Sequence, residues 1–245
     1  MPGRKKRPIS VAPKRAHIFR AFEGLKPGDV RAIILGQDPY SNPSSATGRA
    51  FEQGNLNEWP TSRGAIADSL RRIVQVLANA RTGTATYVDG ERGWEVLVRD
   101  VHEGRLALES PRELFDHLQS EGVLLLNTSL TVSVDVSAER PKRIHGHFRL
   151  WQPVLYRFLS SLAARQKRHL VFLLWGGRHA FDIIERGGIP AAAERAGTWQ
   201  SRVDIVRHMH PAAITREGAV FLHPPNPFLT ANKALERMGA RPIAW

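Results

Sequence analysis

The chain of 245 residues contains no cysteine. That excludes disulfide bonds and any zinc or iron–sulfur centre held by cysteine thiolates. No apolar run approaches the length of a membrane span. The first fifteen residues, Met1 to Arg15, carry charge but no apolar h-region, so they do not read as a secretory signal. Internal repeats and low-complexity stretches are also missing. Negative charge is in short supply, with 23 Asp and Glu against 35 Lys and Arg and a formal net charge of +12. A sequence pI near 10.9 goes beyond a merely solubilising surface and points to a polyanionic partner.

Hydrophobic residues make up 42% of the chain, enough for a packed core. The length suits one large α/β domain, expected over residues 16–245. Residues 1–15 are expected to form a flexible basic arm. Its Arg4, Lys5, Lys6 and Arg7 either track phosphates or form an idle tail.

Four short apolar runs predict buried strands: Val30 to Leu35, Val123 to Leu126, Leu170 to Trp175 and Val203 to Val206. Helical patterns separate them. A short amphipathic helix is expected at 16–25. A longer one begins near Ala65, with Ile66, Leu70, Ile73, Val74 and Leu77 on one face. Others are expected at Pro111 to Ser120, Trp151 to Leu162, His179 to Ile184 and from Phe228 through Leu235 to Gly239. The predicted fold is a three-layer α/β/α domain with a central four-stranded, mainly parallel sheet. Residues 80 to 110 look irregular and read as an insertion, with Val96 to Val98 and Leu106 to Leu108 pairing as a small hairpin. Val132 to Leu150 reads as a loop carrying Lys142, Arg143, His145, His147 and Arg149.

The first strand breaks at Gly36 into Gln37-Asp38-Pro39-Tyr40, followed by Pro43, Ala46, Gly48, Ala50 and Phe51. In an open α/β sheet, ligands bind where such strands end. This stretch resembles the water-activating and uracil-binding loops of the uracil-DNA glycosylase superfamily, closest to its common metal-free branch. Three later segments are similar to the same family in the same order: VLLLNTSLTV with Asn127, VFLLWG before Gly177, and His210-Pro211 with Ile214 and Thr215.

The resemblance implies a DNA-repair hydrolase that flips uracil out of DNA, cleaves its N-glycosidic bond and leaves an abasic site. It implies no cofactor and no metal. Asp38 would stabilise the sugar cation and orient or deprotonate water, and His210 would hydrogen-bond the departing base. Gln37, Tyr40, Phe51 and Asn127 would bind uracil: Phe51 by stacking, Asn127 by its paired donor and acceptor, Tyr40 by excluding the methyl of thymine. DNA would be held by Ser62, Lys142, Arg143, His145, Ile214 and Thr215, with Ile214 as an apolar wedge. N-capping explains Ser62 equally well. Three positions depart from the family pattern. Ser41 stands in place of a His, and Ala212-Ala213 in place of Ser-Pro. The losses imply weaker gripping of duplex or a more permissive pocket.

Three alternatives stay open at this point. Pro141 to His145 resembles a loop in a branch that traps uracil-DNA covalently through its His. A glycosylase with a broader range of damaged bases is a second, and a non-catalytic DNA-binding module a third. The expected partner is uracil-containing DNA, single- or double-stranded, met by a cytoplasmic monomer (nucleoid-associated in a bacterium) with no membrane contact.

Overall fold

The computed structural model describes residues 9–137, 141–165, 167–176, 178–186 and 188–245. Arg4 to Arg7 of the expected basic arm, and Gly177, lie outside the described residues. The central sheet contains β2 (Ala32–Gly36), β3 (Val123–Asn127), β6 (Leu170–Trp175) and β7 (Val203–His208). Their order is β3-β2-β6-β7 and every pairing is parallel. Residues of β2, β3 and β6 are buried throughout, because helices cover both faces.

Strand residues alternate between two cores, as a side-chain period of two requires. Ala32, Ile34, Val123, Leu125, Val171 and Leu173 face one layer. That layer is built from α1 (Asp68–Thr82), α2 (Gly90–His102), α3 (Pro111–Ser120) and α7 (Pro227–Arg237). Ile33, Leu35, Leu124, Leu126, Phe172 and Leu174 face the other. There α4 (Phe148–Ala163), α5 (Arg178–Glu185) and α6 (Ile189–Arg195) supply Leu155, Leu159, Ile183, Ile184 and Ile189. The three-layer α/β/α architecture is therefore the one the apolar pattern predicts.

Helix ends are fixed locally. Pro111 opens α3, and the Glu113 carboxylate accepts from the backbone N–H and hydroxyl of Ser110, closing a capping box. Asn226 caps α7 by accepting from Phe228 and Leu229, and its amide donates to Val76 of α1. One side chain thus starts a helix and ties it to its neighbour.

Four expectations are corrected. Residues 16–25 form two 3₁₀ turns, Arg15–His17 and Arg20–Phe22, in place of one helix. The hairpin expected within residues 80–110 is instead the helix α2. Trp94, Leu97 and Val98 recur at helical spacing and are buried in the main core. The arm expected over 1–15 is already ordered at β1 (Ile9–Ala12). The supposed loop at 132–150 contains β4 (Val132–Asp135) and β5 (Lys142–Gly146) before α4 begins. These make a second, antiparallel sheet of order β1-β4-β5. Charges on β5 hide its strand character, because its side chains are mostly exposed. The inner face of this sheet, Ala12, Val132 and Val134, packs on Ala46 and Tyr40.

The correction at α2 yields a test. Trp94 is fully buried, meets Trp59 edge-on at 6.3 Å and donates to the carbonyl of Pro60. Trp94→Ala should destabilise the fold by about 3–5 kcal/mol in urea unfolding. A loss below about 1 kcal/mol would mean that α2 sits outside the cooperative core.

Candidate active site

The chain runs from β2 outward to β3 and then returns to place β6 on the other side of β2. Loops after these strands diverge at that switch point and leave a crevice. The cavity there has a volume of about 150 Å³. It is lined by Gln37, Asp38, Pro39 and Tyr40 after β2, by residues 46–49 and Phe51, by Asn127 at the end of β3, by Ser69 of α1 and by His210 after β7. A cavity of this size holds one ring of benzene dimensions.

Hydrogen bonding extends the β2–β3 pairing beyond the strands and so fixes the floor. Gly36 is in register with Asn127. Thr128 N–H donates to Gly36 and Ser129 N–H to Gln37, while the Thr128 hydroxyl also donates to Gln37. A Cβ at Gly36 would lie 2.5 Å from Asn127 Oδ1 and 2.9 Å from Ala50 Cβ, so only glycine permits this approach. Asn127 is buried, with 2% of its surface exposed. Its amide therefore needs partners that the cavity's occupant would supply.

Phe51 adopts φ = +65°, an uncommon conformation for a bulky residue and one found where surroundings hold it. Tyr40 helps to hold it: its hydroxyl donates to the Phe51 carbonyl at 3.1 Å. Burial pushes the Tyr40 hydroxyl up to about 12, against a hydrogen bond with Ser69 that acts the other way. The phenol therefore stays protonated and keeps donating. The Phe51 ring lies 5.6 Å from Trp175 and 6.4 Å from His210, centroid to centroid.

His210 Nδ1 accepts from the N–H of Ala212 at 3.0 Å. A neutral ring that accepts at Nδ1 carries its proton on Nε2. Burial lowers the His210 pKa, and the nearby Arg72 cation lowers it further. Both effects keep the ring neutral and its Nε2–H available. Arg72, buried in α1, also braces the loop: its guanidinium donates to the carbonyls of Pro211 at 2.7 Å and Ala213 at 3.2 Å. Turns from Ala213 N–H to His210 and from Thr215 N–H to Gly218 close the loop. Between them Ile214 projects, 64% exposed.

The structure thus brings Gln37, Asp38, Tyr40, Phe51, Asn127 and His210 to one cavity. Ile214 and Thr215 stand outside it on an exposed loop. Lys142, Arg143 and His145 are exposed on β5, and Arg143 reaches back to within 2.9 Å of Asp38. Ser62 precedes a 3₁₀ turn, is exposed, and makes no capping hydrogen bond. Ser69, which lines the cavity, was missed, and so was Arg72. The available signal was a cation embedded in the apolar stripe of α1. Among the described residues no group of three or more His, Asp or Glu could hold a metal ion.

A model of the uracil DNA glycosylase superfamily matches residues 22–236. The chain is 30% identical over 238 residues to a uracil-DNA glycosylase of Lacticaseibacillus casei, covering 96% of this chain and 80% of that protein. It is 31% identical over 238 residues to one of Escherichia fergusonii, covering 97% and 81%. Among solved structures, it superposes on wild-type UNG from Nitratifractor salsuginis with a TM-score of 0.63 at 26% identity, covering 91% of this chain and 80% of that one. Mimivirus uracil-DNA glycosylase shares the fold, with a TM-score of 0.62 at 19% identity over 96% of this chain and 74% of that one.

The role of Arg72 is testable without substrate. Arg72→Met removes a cation beside His210 and two anchors of its loop. The His210 pKa, followed by NMR titration of its ring, should rise from its lowered position towards the ordinary value near 6.5. An unchanged titration would show that Arg72 does not act on the ring.

Proposed function

Because the chain belongs to the uracil DNA glycosylase superfamily, we infer that it is a uracil-DNA glycosylase, a DNA-repair enzyme that hydrolyses the N-glycosidic bond of uracil in DNA. The observation that carries the site assignment is the convergence of Asp38, Tyr40, Phe51, Asn127 and His210 on one ring-sized cavity. The base must leave the stack to enter it, because the bond is inaccessible inside a duplex.

In this reading Phe51 stacks on the flipped uracil, an interaction worth about 1–3 kcal/mol per base. Asn127 accepts from N3–H and donates to O4, satisfying an amide that the fold buries. Tyr40 stands against C5 and blocks a methyl group. As the glycosidic bond breaks, its electron pair moves onto the base. The Nε2–H of His210 donates to O2, where that negative charge grows. Asp38 faces the sugar, stabilises its developing positive charge and takes the proton of the attacking water. The products are free uracil and an abasic sugar. Ile214, on its exposed apex, fills the gap left in the stack.

The covalent-trap alternative gains nothing from the geometry. His145 does not line the cavity; its ring is exposed and lies 5.8 Å from that of His147.

Incubation with a uracil-containing oligonucleotide followed by alkali should break the strand at uracil. Asp38→Asn should fold normally and lose about 10²–10⁴-fold in single-turnover rate, the usual contribution of a positioned base. A near-normal rate would place water activation elsewhere.

Base choice provides a second test. Tyr40→Ala should admit thymine while retaining some uracil release, and Asn127→Asp should weaken uracil recognition and admit cytosine. Changes of about tenfold to a hundredfold are expected, since a bidentate base contact is worth about 1–3 kcal/mol. Continued rejection of thymine by the first variant, with an unchanged uracil rate in the second, would remove both residues from the pocket.

A further inference from the structure

The second sheet aims a cation at the reacting carboxylate. β4 and β5 pair with Val134 opposite Arg143 and Ser133 opposite His145, so Ile144 is an extra residue in a bulge. Bulges re-aim side chains. Val134 is buried on the inner face against the layer that holds Tyr40. Arg143, directly opposite, leaves on that same face and places its guanidinium 2.9 Å from Asp38 Oδ2. The hairpin is shaped around this pair. A Cβ at Gly146 would lie 2.4 Å from Asp38 Oδ1 and 2.8 Å from the Arg143 guanidinium.

This contact suits the free protein and opposes the reaction. Asp38 is only 9% exposed, and a sheltered carboxylate without a partner is costly. During bond cleavage, however, the same carboxylate must face a sugar that is becoming positive. A guanidinium fixed on it would cancel the attraction. Arg143 is 45% exposed, so its head can exchange partners at the rim. It shares β5 with Lys142 and His145, and residues 142–150 contain no acid. Phosphate is a strong alternative partner for a guanidinium, which can grip two of its oxygens at once.

We propose that Arg143 is a latch on Asp38: its guanidinium neutralises the carboxylate in the free protein, and a DNA phosphate beside the flipped nucleotide draws it away. The proposal rests on the reading of Asp38 as the carboxylate that faces the sugar. Arg143 is then a positioning residue, coupling the seating of DNA to the charge that the reaction needs. In the free state the guanidinium stands where the sugar cation develops later.

The test is an affinity cycle that does not require turnover. The probe is a single-stranded oligonucleotide carrying one 2′-fluoro-2′-deoxyuridine, whose electron-withdrawing fluorine disfavours the sugar cation and slows cleavage. Four proteins are compared: wild type, Asp38→Asn, Arg143→Gln and the double variant. Asp38→Asn should bind roughly two- to fivefold more tightly than wild type, the scale of a half-exposed ion pair that no longer has to be broken. That gain should vanish when Arg143→Gln is also present. Arg143→Gln alone should reduce the slope of log K against log[salt] by about 0.7, the contribution of one phosphate on a single strand. If Asp38→Asn binds no more tightly, Arg143 stays on the carboxylate and the latch is wrong. If the gain persists without Arg143, it reflects repulsion between Asp38 and DNA, and the latch is again wrong. Uracil release from the unfluorinated oligonucleotide is scored separately. Its absence in wild type would overturn the enzymatic reading, while the affinity cycle would still decide whether Arg143 moves to phosphate.

Discussion

The close approach of β2 and β3 at their C-terminal ends is the constraint on which the rest depends. Two strands buried on both faces must keep hydrogen-bonding until their backbone groups are satisfied. Here the ladder runs on past Gly36 and Asn127 into Gln37, Thr128 and Ser129. Asn127 is consequently carried into the cavity by the strand itself, with no flexible segment between it and the sheet. The absent side chain at Gly36 makes room for its amide. Asp38 and Tyr40 follow within four residues of that glycine, so their placement inherits the precision of the sheet.

Around this rigid floor, the opposite wall is held by polar contacts at longer range. Tyr40 fixes the carbonyl of a Phe51 whose backbone would otherwise relax from its positive φ. Gln53 accepts from the N–H of Ala67 and donates to the carbonyl of Ala65, setting where α1 begins and hence where Ser69 meets Tyr40. Arg72 then links α1 to the His210 loop. A single helix thereby supports the site from two directions, and its cation biases the protonation of the histidine it positions.

Much of this was legible in the sequence where local chemistry decides the outcome. The runs at Val123 and Leu170 read as buried strands because nothing in them suits water. Asp38 reads as a site residue because it follows such a run, while Asn127 and His210 take their roles from the family resemblance of the segments that carry them. What was hidden required knowledge of partners. β5 looks like a loop because Lys142, Arg143 and His145 serve the surface, and only pairing with β4 makes it a strand. Trp94 lies in a stretch punctuated by glycines, and only the packing of α2 against the core shows it as a core residue. Arg72 resembled any solvated helical cation, since no pattern reveals which distant carbonyl a buried guanidinium will meet. Ser69, the second residue of α1, gives no sign in the sequence that it faces a cavity and not solvent.

The grip of Arg72 on its loop has a consequence for how this surface can change. Main-chain carbonyls are present whatever the side chains are, so a brace that reads only carbonyls is blind to sequence. Residues 212 and 213, two alanines here, lie beneath that brace. They can be exchanged without releasing the hairpin bend that carries His210 and Ile214. The side chains at these two positions can therefore change one at a time while the imidazole beside them keeps its station.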